Sequence, residues 1–524
     1  MNLFFLQCQL RTSRFADFFR AVLTDHASLE ASGLRRACQS LFKTAGNGLK
    51  PFPADDAPAV TEAWTRPKLL AGLCLALVWA AVFIPRLSLG GLAGHYSLDL
   101  KAEDLLLIVL SLLFWARSSG AVASGPVFRI ESAFLLFLIF AAVSVVSGLT
   151  ARTLDKPLVS LLYLIKWFEY FLVFALTARL SQRPQTAQFF LKGFFWLGLA
   201  AAAYGYFEHF YPLSSAAYPN YYRLYERPPF HGDANHIGGL FAVWLAFFSC
   251  LYLRQPLTPT LSPQGRGRIQ HGACSLAPAA FSVPVGRGSI AGQPAVFSLG
   301  STGFPSPFGR GQGEGAVVSW ILLAAILFVF FPFIGTFSRK SYFAFAGAYA
   351  FLFFVPGISR RRWIFLACLL ICAGFVLPTR LAERLSDLGE VMTAVDPFHS
   401  SWAGNLDVWG RCFWNFDQFW LGGAGLGARH RLFYESQYVM VLTETGVLGF
   451  GALLLLLFVP AVYAARESAK QSLQGLAAAA WLTAWAAFLI HNFSCVSLTV
   501  SKAAIPWWFL TGTVFGWLNS RETA

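Results

Sequence analysis

The stretch from Thr379 to Leu448 reads TRLAERLSDLGEVMTAVDPFHSSWAGNLDVWGRCFWNFDQFWLGGAGLGARHRLFYESQYVMVLTETGVL. It is the longest polar, aromatic and motif-bearing segment in a chain made mostly of apolar runs. Lipid cannot satisfy the backbone and charges of such a segment, so it must lie outside the hydrocarbon or line a cavity. The chain around it is therefore expected to be an all-α polytopic membrane protein with one large helical loop on the outer side.

The composition agrees. Of 524 residues, 56% are hydrophobic and only 13% charged, against about 25% charged in soluble domains. The 53 Phe and 17 Trp suit lipid-facing surfaces and interfacial belts. The net charge of +14 would fit a nucleic-acid binder. Lys and Arg instead gather in short loops between apolar runs, where they set orientation, so no nucleic-acid partner is expected. The nine Cys show no CxxC and no metal-ligand spacing, so no metal site is expected. Only Cys412 and Cys495 fall in expected outer segments. Asn2–Leu6 is too short an apolar core for a cleavable signal peptide.

Working outward, apolar runs predict about twelve spans. These are Leu69–Ile84, Asp104–Ala116, Ser132–Leu149, Leu158–Leu176, Phe189–Phe210, Ile237–Leu253, Val318–Phe337, Ser341–Val355, Trp363–Leu377, Gly446–Ala464, Leu473–Ile490 and Ile505–Leu518. The excess of positive charge on cytoplasmic loops then places both termini in the cytoplasm. The organisation reads as a basic cytoplasmic extension (1–68), spans one to six (69–254) and an insert (255–316). Spans seven to nine (317–377), the outer loop (378–445) and spans ten to twelve with a short tail (446–524) follow. The insert begins PLTPTLSPQGRG and ends FPSPFGRGQGEG. Its Gly, Pro and Ser content predicts a disordered cytoplasmic loop, and its two ends resemble translations of the arms of one inverted DNA repeat.

Four places carry side chains suited to chemistry. In Arg227-Pro-Pro-Phe-His-Gly-Asp-Ala-Asn235 the chain returns to the membrane. Asn235 is suited to cap the incoming helix, and the Arg227 guanidinium to fork onto phosphate. In Phe337-Ser-Arg-Lys-Ser341, Arg339 and Lys340 sit at the outer edge, against the charge rule. They either snorkel to headgroups or clamp a pyrophosphate. In the outer loop, Gly422-Gly-Ala-Gly425-Leu-Gly427 makes a tight turn whose amides suit an anion. Glu435 and Glu444 follow. A carboxylate at the outer edge either complements a helix N-terminus or acts as general base on a sugar hydroxyl. Inside span four, Lys166 and Glu169 read equally as functional charges or as a mutual structural pair.

These landmarks, in this order, resemble the O-antigen ligase and O-antigen polymerase superfamily of bacterial envelopes. GlyAspAlaAsnHisIleGlyGly is similar to the family's Gly-x-x-x-Asn-x-x-(Ala/Gly) segment, and PheSerArgLysSer to its Ser-Arg step. AsnLeuAspValTrp with LeuGlyGlyAlaGlyLeuGly is similar to its loop helix ending in Gly-x-Gly. GluSerGlnTyr with GluThrGlyValLeuGly is similar to its closing helix. The resemblance covers roughly Arg227 to Phe450 without the insert. It implies a metal-independent, inverting glycosyltransferase of the inner membrane that uses no cofactor and has a periplasmic catalytic loop. The implied donor is an undecaprenyl-pyrophosphate-linked glycan among the membrane lipids. The acceptor is a hydroxyl on a glycan, lipid A core or another molecule. Arg227 and Arg339 would hold the pyrophosphate and Glu435 would serve the acceptor, with Lys340, Asn235, Arg411, Glu444 and Gly425 lining the substrate. Two positions depart from the pattern. Glu435 stands where ligases capping lipid A core carry His, which looks more like the polymerase or exopolysaccharide members and leaves the base between Glu435 and a nearby histidine such as His399 or His430. Asn405 stands where the loop helix often begins with Arg, with Arg411 about two turns later. A transporter or flippase for the same lipid-linked sugars, and an inactive membrane scaffold, are the alternatives.

Overall fold

The computed structural model describes residues 67–84, 125–154, 157–211, 234–254, 314–355, 419–428 and 435–520, with single residues or short pieces at 104, 106–107, 109–110, 224–225, 230, 365, 369 and 409–410. The chain divides into two units, 1–70 with 113–121 and 71–112 with 122–524. The second holds the core and the site.

Ten helices occur among the described residues: α1 (Pro67–Phe83), α2 (Gly125–Thr150), α3 (Pro157–Leu180), α4 (Pro184–Phe210), α5 (Ala234–Arg254), α6 (Glu314–Gly335), α7 (Arg339–Leu352), α8 (Gln437–Ser468), α9 (Leu473–Phe493) and α10 (Ser501–Leu518). No strand occurs among these residues. Six helices, α2–α5, α8 and α9, are long and apolar enough to cross a membrane. The twelve expected spans are therefore not all represented. Those over Asp104–Ala116 and Trp363–Leu377 lie largely outside the described residues. The α7 helix has 14 residues, about 21 Å at helical rise and short of a hydrocarbon core of about 30 Å. Several helices begin earlier than their apolar runs, because polar residues continue the helix beyond the greasy core. α4 starts at Pro184 with proline in its first turn. α6 starts at Glu314, inside the expected insert, whose residues 255–313 lie outside the described residues.

α5 and α9 pack antiparallel, whereas α5 with α7 and α3 with α10 run parallel, and the helix ends fall into two groups. At the end opposite the site, Arg179 pairs with Glu131 at 3.3 Å, and Arg129 lies 5.3 Å from the centre of the Tyr463 ring. There the Arg254 guanidinium donates to the Ser468 carbonyl at 3.0 Å and the Gly475 carbonyl at 3.4 Å, tying the last turn of α5 to the α8–α9 corner. α5 is buried around nearly its whole circumference and packs against α6, α7 and α9. Trp167, Trp244, Trp481 and Trp508 fill the interior. α10 approaches α3 at Gly512 and Gly516, where a side chain would overlap Thr177 and the Ala178 backbone. Small residues four apart let membrane helices touch through their backbones. Inside the bundle, Lys166 pairs with Asp104 and, at 2.9 Å, with Glu169.

The expected start of span ten, Gly446, is a break within α8. Its φ is +67° and ψ −172°. An unbroken helix would bond the Val447 and Leu448 amides to the Thr443 and Glu444 carbonyls. Here the glycine-rich turn takes both sets of partners. The Ala424 and Gly425 amides donate to the Thr443 and Glu444 carbonyls at 2.9 and 3.0 Å, and Val447 and Leu448 donate to the Trp420 and Leu421 carbonyls at 2.8 and 3.4 Å. A Cβ on Gly446 would overlap the Leu421 carbonyl, and one on Gly423 the Glu444 carbonyl.

Replacing Gly446 by alanine combines that overlap with a left-handed backbone. The expected loss is about 2 kcal/mol, seen as a lowered apparent Tm in detergent. Gly72→Ala, where nothing lies within 4 Å of the new methyl, is expected to leave Tm unchanged or higher.

Candidate functional site

The N-termini of α5, α7 and α8 gather around the C-terminal end of α9. Ser338 caps α7, its Oγ accepting from the Ser341 amide at 3.3 Å. Arg339 and Lys340 are therefore the first two helical residues, both half-buried. A helix N-terminus already carries positive partial charge, so two cations there create an excess that favours an anion. Ser436 caps α8, and Glu435 before it supplies one negative charge. Its Oε2 accepts a hydrogen bond from the Lys340 Nζ. The Ser-Arg-Lys step and the closing-helix carboxylate, 95 residues apart, thus meet directly.

Asn235 belongs to the same group, though not as a cap, because α5 already begins at Ala234. Its backbone carbonyl lies 3.3 Å from the Ser341 hydroxyl and 3.1 Å from His491 Nε2. Gly238 and Gly239 make room. A Cβ on Gly239 would lie 2.5 Å from the His491 ring, and one on Gly238 2.5 Å from Ser341 Oγ.

The glycine turn does other work than expected. The amides of Gly423, Ala424, Gly425 and Ala428 all donate to backbone carbonyls, so they are committed internally rather than presented to an anion. Gly425 supports the break in α8, with Leu154 against its α-carbon. Glu444 is buried and its carbonyl belongs to the same junction. Arg227 and Arg411, with His399, Asn405, Cys412 and His430, lie outside the described residues.

Around Arg227, the described neighbours are firmly placed. The Tyr225 amide donates to Glu208 Oε2 at 2.6 Å, its hydroxyl donates to the Ala201 carbonyl at 2.9 Å, and the Leu224 amide donates to the Gly335 carbonyl at 3.1 Å. Burial, then the Glu208 carboxylate, pushes the Tyr225 hydroxyl well above its ordinary range. Tyr225 and Phe337 have φ of +69° and +48°, a conformation that costs bulky residues free energy. Both precede candidate segments.

Sequence reasoning missed His491, Ser497 and Lys502. Lys502, fully buried in the first turn of α10, donates to the Phe230 carbonyl at 2.8 Å and lies 5.4 Å from that ring's centre. Polar groups at the end of an apolar run were the available signal. Cys495 is a free, buried thiol. Burial pushes it up, but the charges of His236 and Lys340, with a hydrogen bond to His236, outweigh that and hold it below its ordinary value of 9.0. No group of three metal-ligating side chains occurs among the described residues. No family model matches the chain, and no curated protein matches it.

The Lys340–Glu435 contact is partly exposed, with 21% and 27% of the side chains accessible. A double-mutant cycle with Lys340→Met and Glu435→Gln is expected to give a coupling of about 0.5–1 kcal/mol that shrinks with added salt. Additivity of the two variants in thermal unfolding would contradict the pairing.

Proposed function

We propose that this chain is a membrane glycosyltransferase of the O-antigen ligase and polymerase type. It would sit in a bacterial inner membrane and transfer or polymerise glycan from an undecaprenyl-pyrophosphate donor on the periplasmic face. The observation that carries this is the meeting of Arg339–Lys340, Glu435 and Asn235 at one end of the bundle. The arginines and the glutamate–lysine pair at the opposite end support placing that end in the cytoplasm.

In this reading the donor pyrophosphate binds at the cationic start of α7, with Arg227 and Arg339 neutralising it. Lys340 exchanges Glu435 for phosphate, and the freed carboxylate turns to the acceptor hydroxyl. The acceptor oxygen forms a bond to the anomeric carbon as the bond to the pyrophosphate oxygen breaks. The hydroxyl proton passes to Glu435, and the electron pair leaves with the pyrophosphate, whose developing charge the fixed cations stabilise. Glu435, in place of a ligase's histidine, favours the polymerase side of the superfamily.

A second reading, a carrier for the same lipid-linked sugars, draws on the Asp104–Lys166–Glu169 group within the bundle, since charges inside membranes often mark transport paths.

The test is a gene deletion complemented with variants and read on a surface-glycan gel. Arg339→Ala is expected to abolish product while the protein still inserts, and normal chain length in that variant would sink the catalytic role. In the deletion, loss of all long chains from the core points to a ligase, and single repeats still attached point to a polymerase. If Lys166→Met eliminates surface glycan and Arg339→Ala does not, the carrier reading stands instead.

A further inference from the structure

We propose that His491 is a positioning residue, the pin that fixes the Ser338–Lys340 step against Asn235. The pin's catalytic purpose rests on the glycosyl-transfer reading, whereas the positioning itself does not. His491 is fully buried at the end of α9 and touches three other pieces of chain. Its Nε2 lies 3.1 Å from the Asn235 carbonyl and 3.2 Å from Ser341 Oγ, and its Nδ1 lies 2.9 Å from Ser497 Oγ.

The partners dictate the tautomer. A carbonyl only accepts, so Nε2 carries the proton and shares it between the Asn235 oxygen and Ser341 Oγ. Nδ1 then accepts, and the Ser497 hydroxyl donates to it. Ser341 in turn donates to Ser338 Oγ at 2.8 Å. The result is a continuous hydrogen-bonded line from the α9–α10 link to the cap of α7, immediately behind Arg339 and Lys340. Ser497 acts through the imidazole by holding the proton on Nε2. Gly238 and Gly239 let the ring and Ser341 lie directly on α5. The polar pin thus occupies a site shaped by close packing, where a small displacement moves the cations at the start of α7.

The measurement is amine acylation of the purified full chain in detergent, read peptide by peptide by mass spectrometry. Lys340 reports the site, exposed Lys470 reports the reagent, and buried Lys502 reports unfolding. His491→Phe is expected to raise Lys340 labelling several-fold with Lys502 still protected. His491→Gln places an amide donor near the Nε2 position and is expected to restore wild-type labelling. Ser497→Ala is expected to raise labelling by less than His491→Phe, and to add nothing in the His491→Gln background, where no tautomer needs holding. Unchanged Lys340 labelling in His491→Phe, with Lys502 protected, overturns the proposal. If His491→Phe exposes Lys502, the serine variants decide: equal Lys340 labelling in wild type and Ser497→Ala overturns it as well. Inorganic pyrophosphate added to the wild type is a separate arm. Protection of Lys340 supports the pyrophosphate site. Lack of protection counts against that reading alone, leaving the His491 comparison to stand on labelling without ligand.

Discussion

A backbone amide or carbonyl inside a membrane must find its partner within the protein, and the junction at Gly446 shows how much of this structure follows from that. A break in a long membrane helix exposes two carbonyls and two amides. The glycine turn supplies partners for all four. The turn can approach only because neither Gly423 nor Gly446 carries a side chain. The junction fixes where the short first segment of α8 begins, and so where Ser436 and Glu435 stand. The carboxylate reaches Lys340 because backbone bonding several residues away holds its helix in place.

The second determinant is electrostatic. Arg339 and Lys340 open a helix whose own dipole is positive at that end, and Ser338 satisfies one of its free amides. This arrangement is unfavourable for a helix that only has to pack. It becomes favourable when an anion shares the space, and Glu435 partly meets the need. The pairing is partly exposed, so separating its charges costs little. A buried pair would resist opening, because separating it strands both charges.

Much of the bundle is legible in the sequence, because long apolar runs report helices withdrawn from water, whether into lipid or, as for α5, into protein. Helix ends are less so. The run at Gly446–Ala464 is apolar, yet the helix starts at Gln437, since Thr443, Glu444 and Thr445 are buried against protein rather than lipid. The Ser-Arg-Lys step and Glu435 stood out as charges in the wrong place, but their pairing is a property of the fold. His491 gave almost no signal. It follows a stretch of Ala, Leu and Trp, and its partner Asn235 is 256 residues distant. The glycine turn is visible in the sequence, but the spacing that suits an anion equally suits a helix with unpaired carbonyls. Sequence shows that amides are available; only packing shows what they bond to.

Arg254 offers a practical handle. It ends α5 by clasping the corner between α8 and α9, so the helix is secured before the chain departs into residues 255–313. Because α5 and α6 already pack together, the connecting chain is not needed to hold them in register. That makes this corner a natural grafting point. A fluorescent protein or affinity domain placed there would hang from a fastened helix end, at the pole farthest from the cationic cluster, and would report the protein's presence without loading its working parts.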